Sequence, residues 1–292
     1  CMTSRLAAIV TSAWPSALPT ATRRATAACK TDAPVLVARD GRAGRLTLNR
    51  PGALHALDRE MCARLTEALL DWRDDPAVEL VIVDHAPGTR GFCAGGDIRM
   101  LAASGAGDGG EARAFFHAEY RLNHLIHGYP KPYVAVMDGV TMGGGVGISV
   151  HGAVRIATEN TVFAMPETGI GLFPDVGGGW FLPRLAREVG TWLALTGARI
   201  KGEGVLSIGV ATHFAPAAGI ADLKAALCRD GLAALGGLAT SGPHMPHHDG
   251  ALEPYFGFDT VEAIFAALAA DPGEWVQAQL AVLKTKSPQT LK

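Results

Sequence analysis

The stretch FAMPETGIGLFPDVGGGWFLPRL, from Phe163 to Leu185, places two carboxylates among residues that are almost all apolar, proline or glycine. Glu167 and Asp175 each directly follow a proline. Acids in a solvated loop usually have other polar residues around them, and here there are almost none. A carboxylate that faces an apolar interior needs a partner or a polar cavity. The two acids therefore mark a candidate functional site.

Strands and helices alternate on the N-terminal side of this stretch. PVLVARD and RLTLN predict a hairpin turned at DGRAG, and a helix that ends at Pro76 follows it. A buried strand is predicted at VELVIVDHA and a second helix from Glu111 to about His127. Further strands are predicted at PYVAVMDG, VRIAT and TVFAM, with a short helix at the glycines after the first. This alternation predicts an α/β fold whose ligands bind at the carboxyl ends of the strands.

The two ends of the chain differ from this pattern. Residues 1–32 are rich in Ala, Ser and Thr and hold no acid before the last of them, as in a transit peptide or a mis-called start. Over residues 201–292 the strand signal nearly vanishes, apart from GVATHFA. Helices are predicted there near residues 221–235, 260–270 and 272–283. We therefore predict an α/β core at residues 33–200 and a helical C-terminal region at residues 201–292.

Composition excludes several classes of function. The 292 residues carry a formal net charge of −2, which leaves no basic surplus for nucleic acid or an anionic membrane. No apolar run approaches the ~20 residues that span a bilayer. Five cysteines without a CxxC pair favour a reducing compartment over a disulfide framework. We expect the bacterial cytoplasm, or the mitochondrial matrix if the source is eukaryotic.

Two glycine-rich turns, RGFCAGGDI and TMGGGVGIS, each follow a predicted strand. Glycine lets the backbone approach a ligand closely, and a helix that begins in the second turn presents unpaired N–H groups. Such turns bind a phosphate or a developing oxyanion. Neither turn matches a P-loop or a dinucleotide fingerprint, and His151 stands where a G-x-S-x-G elbow needs glycine.

At this point the sequence resembles a known family. FCAGGDI, KPYVAVMDGVTMGGGVGISVHG, the stretch from residue 163 to 185, and LALTGARIKG are similar to the crotonase (enoyl-CoA hydratase/isomerase) superfamily. They are most similar to its 3-hydroxyisobutyryl-CoA hydrolase branch, which acts in valine catabolism. The resemblance implies a spiral of ββα units that binds a CoA thioester, with its carbonyl oxygen held by the N–H groups of Gly96 and Gly144. LNRPGALHAL gives weaker support, because His55 stands where relatives usually have Asn.

The resemblance also assigns the two acids. Hydratases of the family use two glutamates, and here the first position is Gly147 and the second is Glu167. Asp175, eight residues further on, is similar to the second acid of the hydroxyacyl-CoA hydrolases. This implies that Glu167 attacks the thioester to give an anhydride or activates water as a general base. Asp175 would bind the substrate hydroxyl or manage protons around the departing thiol; the competing interpretation is a helix N-cap.

Glu119 is a third candidate acid. With Phe115, Leu122 and Ile126 it falls on one helical stripe, so it lies inside the apolar face of the predicted helix. An acid in that position needs a partner or a polar cavity. The hydrolase relatives also have an acid here, which implies a role in binding the substrate.

Four residues around the first glycine turn have smaller expected roles. By resemblance, Ala94 and Arg90 are expected to contact the CoA part of the substrate. We expect Asp97 to cap the helix IRMLAA and Cys93 to be a buried thiol, not a nucleophile, because no His pairs with it locally.

Two readings compete with the hydrolase. The first is an enoyl-CoA hydratase or isomerase, which shares the fold; only the hydratase needs a glutamate at position 147, where this chain has glycine. The second is a non-catalytic acyl-CoA-binding protein, which would bind thioesters without turnover. We expect a small acyl-CoA as ligand and a possible homo-oligomer. No metal or separate cofactor is expected, because HMPHHD, with His244, His247 and His248, fits no metal-site spacing. The chain ends at KTKSPQTLK, where hydrolase relatives continue, so we expect a shortened helical region.

Overall fold

Ten strands build the sheets of this computed structural model, which describes residues 32–243 and 250–292. In chain order they are β1 (Val35–Asp40), β2 (Ala43–Leu48), β3 (Leu80–His85), β4 (Gly91–Cys93), β5 (Tyr133–Met137), β6 (Val140–Met142), β7 (Val154–Ala157), β8 (Val162–Ala164), β9 (Ile200–Lys201) and β10 (His213–Phe214).

The strands form two sheets that the chain visits alternately. The larger sheet has the order β1-β2-β3-β5-β7-β10, and the smaller has the order β4-β6-β8-β9. Only the hairpin β1–β2 and the pair β8–β9 are antiparallel, and every other pair is parallel. The predicted hairpin is confirmed, with Asp40 opposite Ala43 across a turn in which Gly41 has φ +55°. GVATHFA forms a strand over two residues only, His213 and Phe214.

Helices connect and cover the strands. They are α1 (Arg59–Arg73), α2 (Ile98–Gly105), α3 (Gly110–His127), α4 (Gly144–Gly147), α5 (Gly178–Phe181), α6 (Val189–Thr196), α7 (Glu203–Ser207), α8 (Ile220–Asp230), α9 (Glu253–Phe256), α10 (Val261–Ala270), α11 (Glu274–Lys284) and α12 (Pro288–Leu291). Short 3-10 turns lie at Pro51–Ala53, Glu167–Ile170, Leu182–Arg184, Ala217–Gly219 and Gly231–Leu235. The helix predicted near residues 221–235 therefore ends at Asp230 and continues as a 3-10 turn.

The central strand β3 is buried on both faces, which explains its continuous apolar run. Val81 and Val83 belong to the main core together with apolar residues of α1 and α3. Leu80 and Ile82 point the other way, into a second cluster that includes Leu227 of α8. Alternation along one strand thus gives the sheet a helix layer on each side.

The C-terminal helices pack against the stretch from residue 163 to 185 and the helix that follows it. The indole of Trp192 in α6 donates a hydrogen bond of 2.8 Å to Gln279 of α11. The backbone N–H of Ser287 donates to the carbonyl of Thr168 at 3.0 Å, next to Glu167. The helical extension is therefore packed on the segment that carries the candidate acid.

The expected α/β spiral core with a C-terminal helical extension is confirmed. The division at residue 200 stays a prediction. Residues 1–31, and the three histidines at 244, 247 and 248, lie outside the described residues. In the described ranges, no helix combines the length and apolar content that crossing a membrane requires.

Candidate active site

The fold brings the two glycine-rich turns together. Gly96 pairs with Leu57 in a parallel bridge, in which the Leu57 N–H bonds the Gly95 carbonyl at 2.7 Å and the Asp97 N–H bonds the Leu57 carbonyl at 2.9 Å. In such a bridge the N–H of Gly96 itself points away from its partner. Gly144 is the first residue of α4, where a backbone N–H has no partner within the helix. A Cβ on Gly144 would lie 3.2 Å from the Gly96 nitrogen, so the two N–H groups are neighbours.

Gly143 and Gly144 need to be glycine, because the side chains of two acids approach their backbone closely. A Cβ on Gly144 would overlap Oε1 of Glu119. A Cβ on Gly143, whose φ is +48°, would lie 3.0 Å from Oε1 of Glu167. Both turns and both acids line one cavity of about 80 Å³. The structure thus places two N–H donors and two carboxyl groups around a single small space.

Glu167 is the first residue of a 3-10 turn directly after Pro166. Its side chain is only 5% exposed, and within the described part of the chain its Oε2 has no hydrogen-bond partner. Burial, with a smaller contribution from the charge of Asp175, raises the pKa of Glu167 to about 8. An unpaired carboxyl group of this kind is available to a ligand.

Glu119 faces the same cavity from α3, on the stripe that the helical spacing predicts. It is 2% exposed, and no described residue bonds its Oε1. Burial raises the pKa of Glu119 to about 8, and the charges of Asp175 and Glu167 act in the same direction. Burial and mutual repulsion therefore both disfavour the charged forms of these acids.

Asp175 also lines the cavity and, within the described residues, is the only one of these three acids with a side-chain hydrogen-bond partner, Tyr120. The Tyr120 hydroxyl donates to Oδ2 of Asp175 at 2.7 Å. Burial raises the pKa of Asp175, and this hydrogen bond opposes the rise. The N-cap interpretation is wrong, because α5 begins at Gly178 and has Gly177 as its N-cap, without a side-chain cap bond.

The residue after Asp175 has an unusual backbone. Val176 has φ +43°, a left-handed conformation that is rare for a β-branched residue. Its carbonyl accepts a hydrogen bond of 2.8 Å from Nε2 of His151, which must therefore carry the proton on that nitrogen. His151 thus holds the turn that aims Asp175 into the cavity, a contact that the sequence did not predict.

Gly147 stands where hydratases of the resembling family have a glutamate, and the structure has no room for a side chain there. A Cβ at Gly147 would lie 2.6 Å from the Cβ of Val176 and 2.9 Å from Nδ2 of Asn123. Asn123 is 5% exposed, and neither atom of its amide finds a hydrogen-bond partner among the described residues. The place of the missing acid is therefore filled by two other side chains.

Ala94 and Arg90 lie at a second cavity of about 680 Å³ that adjoins the first. Ala94 lines both cavities. Arg90, Arg199 and Lys201 bring three positive charges to the second cavity, against one acid, Asp138. Positive charge beside a thioester-sized cavity suits the phosphates of a CoA-type ligand.

The remaining predicted residues near the first turn are structural. Asp97 caps α2, accepting hydrogen bonds from the backbone N–H groups of residues 99 and 100, and it also pairs with Arg50 at 3.0 Å. Cys93 is fully buried, and burial raises the pKa of its thiol to about 12, so it carries no thiolate at neutral pH. Both expectations are confirmed.

His55 also proves to be structural. Its φ is +56°, a left-handed conformation in which both Asn and His are enriched, which explains how His replaces the usual Asn. Nδ1 accepts from the backbone N–H of Arg50 at 3.0 Å, so Nε2 carries the proton and donates to Oγ1 of Thr89 at 2.9 Å. Burial, with a smaller effect of His85, lowers the pKa of His55 to about 4. Within the described residues, no group of three or more His, Cys, Asp or Glu side chains is arranged to hold a metal ion.

The site can therefore polarise a carbonyl oxygen and present an acid to the same carbonyl. The N–H groups of Gly96 and Gly144 are suited to an oxyanion, because backbone donors fixed by the fold need no rearrangement during reaction. Oε2 of Glu167 has no partner among the described residues and is available as a nucleophile or a base. Sequence analysis did not identify Tyr120, Asn123, Val176 and His151 as site residues, because no local pattern in the sequence indicates their contacts.

Comparisons with known proteins find similar chains. A family model described as enoyl-CoA hydratase/isomerase matches residues 43–292. The mitochondrial 3-hydroxyisobutyryl-CoA hydrolase of Xenopus tropicalis is 44% identical over 275 residues, covering 89% of this chain and 71% of the relative. The human protein of the same name is 42% identical over 282 residues, covering 88% of this chain and 70% of the relative.

Solved structures match over the same region. A carnitinyl-CoA dehydratase from Mycobacterium thermoresistibile has a TM-score of 0.84 at 42% identity, covering 88% of this chain and 76% of that one. An enoyl-CoA hydratase from Rhodobacter sphaeroides has a TM-score of 0.81 at 40% identity, with the same coverage of 88% and 76%.

Proposed function

The chain belongs to the enoyl-CoA hydratase/isomerase family, and we propose that it is an acyl-CoA thioester hydrolase that converts 3-hydroxyisobutyryl-CoA to 3-hydroxyisobutyrate and CoA. The relatives at 42–44% identity carry that enzyme's name. One observation carries the proposal: Glu167 and Asp175 flank the cavity of the two glycine turns, while Gly147 leaves no room for a hydratase acid. The reaction would be a step of valine catabolism.

The cavities suggest how the substrate lies. The phosphates of CoA would bind beside Arg90 in the larger cavity, and the thioester would pass Ala94, which lines both cavities. The acyl group would then occupy the cavity of about 80 Å³. A cavity of this size suits a short acyl group, and the names of the relatives make the branched 3-hydroxyisobutyryl group the candidate.

The first step polarises the thioester. The N–H groups of Gly96 and Gly144 would donate to its carbonyl oxygen, and these bonds strengthen as negative charge develops on that oxygen. Loss of one such donor usually costs about 10² to 10³ in rate. No metal ion or separate cofactor is needed for this step, since both donors belong to the backbone.

Glu167 would then act in one of two ways. As a nucleophile, its carboxylate oxygen bonds the carbonyl carbon and the C–S bond breaks, which releases the CoA thiolate and leaves a mixed anhydride. Water next adds to the anhydride, which frees the 3-hydroxy acid and restores the carboxylate of Glu167. As a general base, Glu167 would instead take a proton from water that attacks the thioester directly, a role that supplies about 10² to 10⁴ in rate.

Asp175 and Glu119 would complete the site. Asp175 would accept a hydrogen bond from the 3-hydroxyl of the acyl group, or pass a proton to the departing thiolate. Glu119 would bind the substrate from α3, opposite the glycine turn. Its raised pKa favours the protonated form, which can donate a hydrogen bond without adding charge to the cavity.

Single turnover in H₂¹⁸O distinguishes the two roles of Glu167. Attack by water on the Glu167 carbonyl of the anhydride leaves ¹⁸O in Glu167, which mass spectrometry of the peptide detects. General-base catalysis labels only the released acid. The Glu167→Gln variant should bind the substrate but lose nearly all turnover in either case.

The experiment that tests the function gives the protein 3-hydroxyisobutyryl-CoA and crotonyl-CoA separately. Release of free thiol is followed with a colorimetric reagent, and the enoyl group by its absorbance. We expect thiol release from the hydroxyacyl substrate, abolished in Glu167→Gln. Loss of enoyl absorbance without thiol would identify a hydratase, and binding without any turnover would identify an acyl-CoA-binding protein. The bacterial cytoplasm or the mitochondrial matrix as location, and a homo-oligomeric state, stay predictions.

A further inference from the structure

A third cavity lies on the far side of Asp175. It measures about 600 Å³ and is lined by side chains that include Tyr120, Asn123, His151 and Trp180. Asp175 lines both this cavity and the reaction cavity of about 80 Å³. The reaction cavity therefore shares Ala94 with the basic cavity on one side and Asp175 with the third cavity on the other.

The hydrogen bond between Tyr120 and Asp175 lies at this boundary. The Tyr120 hydroxyl and Oδ2 of Asp175 are 2.7 Å apart, and they belong to elements that are 55 residues apart in sequence. The Tyr120 ring packs against Phe116, with ring centroids 5.7 Å apart, and Phe116 lines the reaction cavity. Tyr120 itself lines the third cavity, and it contacts Asp175 and Phe116, both of which line the reaction cavity.

We infer that Tyr120 is a specificity-determining residue, which closes the acyl end of the reaction cavity and restricts the enzyme to short 3-hydroxyacyl groups. This inference rests on the proposed function, because it assigns the cavity between the glycine turns to the acyl group. The ring supplies the bulk of the wall, and the hydroxyl fixes Asp175 toward the 3-hydroxyl of the substrate. Both effects follow from one side chain, so two substitutions separate them.

Tyr120→Ala removes the ring that lines the third cavity beside Asp175, and we expect this to open a path from the reaction cavity. We expect the ratio of kcat/KM for 3-hydroxyoctanoyl-CoA to that for 3-hydroxyisobutyryl-CoA to rise at least tenfold, since a chain that was excluded gains an apolar path. The variant should fold, because Tyr120 is 41% exposed and its ring is not part of the buried core.

Tyr120→Phe keeps the wall and removes only the hydroxyl. We expect the ratio between long and short substrates to stay unchanged, while kcat/KM for both falls about tenfold, because Asp175 loses the donor that orients it. A purely structural role of Tyr120 would lower activity in both variants without changing the ratio in Tyr120→Ala. Tyr255→Phe is the matched control, since Tyr255 also donates to an aspartate, Asp271, in the C-terminal helices.

Dissociation constants for both thioesters, measured by calorimetry in the same three variants, keep this test separate from that of the proposed function. If the unmodified protein releases no thiol, the hydrolase assignment fails, and the ratio of the two dissociation constants still reports whether Tyr120 limits the length of the acyl chain. The inference is overturned if the unmodified protein takes the eight-carbon and the branched four-carbon substrates equally well. It is also overturned if Tyr120→Ala leaves both ratios unchanged.

Discussion

The pH dependence of turnover should report the ionisation of Glu167, whose carboxylate form either attacks the thioester or deprotonates water. Burial raises its pKa to about 8, so the reactive form is a minor species at neutral pH. From that value, about 9% of Glu167 is ionised at pH 7 and about 91% at pH 9. Ionisation of Glu167 alone would raise kcat/KM about tenfold between pH 7 and pH 9. Loss of the Glu119 proton over the same range opposes this rise, so we expect the full tenfold rise in Glu119→Gln.

Two substitutions assign this rise to one carboxyl group. The charge of Asp175 contributes to the raised pKa of Glu167, so in Asp175→Asn the rising limb should move to lower pH even though turnover is weaker. Glu119 also has a pKa of about 8, which makes Glu119→Gln the matched control. If Glu167 is responsible, the limb survives in that variant.

The measurement is thiol release at low 3-hydroxyisobutyryl-CoA concentration, from pH 6 to pH 9.5, with circular dichroism at each pH to confirm folding. Substrate stability is checked without enzyme, because thioesters hydrolyse in alkali. A profile that is flat over this range would refute the burial argument. If the rising limb disappears in Glu119→Gln, the titrating group is Glu119, and the assignment to Glu167 is wrong.

Three further substitutions test the geometry of the site. Gly144→Ala should lower kcat/KM by at least about 10², since the new Cβ overlaps Oε1 of Glu119 beside an oxyanion donor, and crotonyl-CoA binding by calorimetry reports whether the pocket survives. Gly147→Glu should lower the unfolding free energy by about 1 to 3 kcal/mol, because its Cβ would lie 2.6 Å from that of Val176. We also expect no hydratase activity in this variant, and hydration of crotonyl-CoA by it would contradict that expectation. His55→Asn should reduce acid sensitivity: the folded pKa of about 4 lies below the ordinary 6.5, so stability is complete above pH 6.5 and is lost as the pH falls toward 4. Urea unfolding at pH 7 and pH 5 should show a loss about 2 kcal/mol smaller in this variant than in the unmodified protein.

Much of the fold was predictable because its signals are local. The hairpin β1–β2, the buried strand β3 and the long helix α3 each follow from periodicity within a few residues. The position of Glu119 on the buried side of α3 followed from helical spacing alone, and the structure has it 2% exposed. Where the sequence mixed signals, the prediction was less accurate, as in GVATHFA, where only two residues pair as a strand.

The contacts between distant segments could not be predicted in this way. Tyr120 directly follows Glu119, and helical spacing places it toward solvent. Its partner Asp175 is 55 residues away, on a turn whose path no local pattern specifies. The left-handed conformation of Val176 is equally hidden, because valine in a sequence indicates a strand and not a turn. The residues that sequence analysis missed are therefore those whose roles depend on where a turn lies.

The glycine at position 147 and the acid at position 175 form one structural feature. Val176 follows the acid directly, and its side chain occupies the space that a Cβ at Gly147 would need. To reach that space its backbone adopts φ +43°, a conformation that costs on the order of 1 to 3 kcal/mol. The hydrogen bond from His151 and the burial of the Val176 side chain, which is 3% exposed, offset this cost. In this chain a Cβ at position 147 would lie 2.6 Å from that of Val176, so a glutamate there requires Val176 to move, and Asp175 with it. A single substitution at position 147 or position 175 should therefore lose the hydrolase activity without creating a hydratase activity.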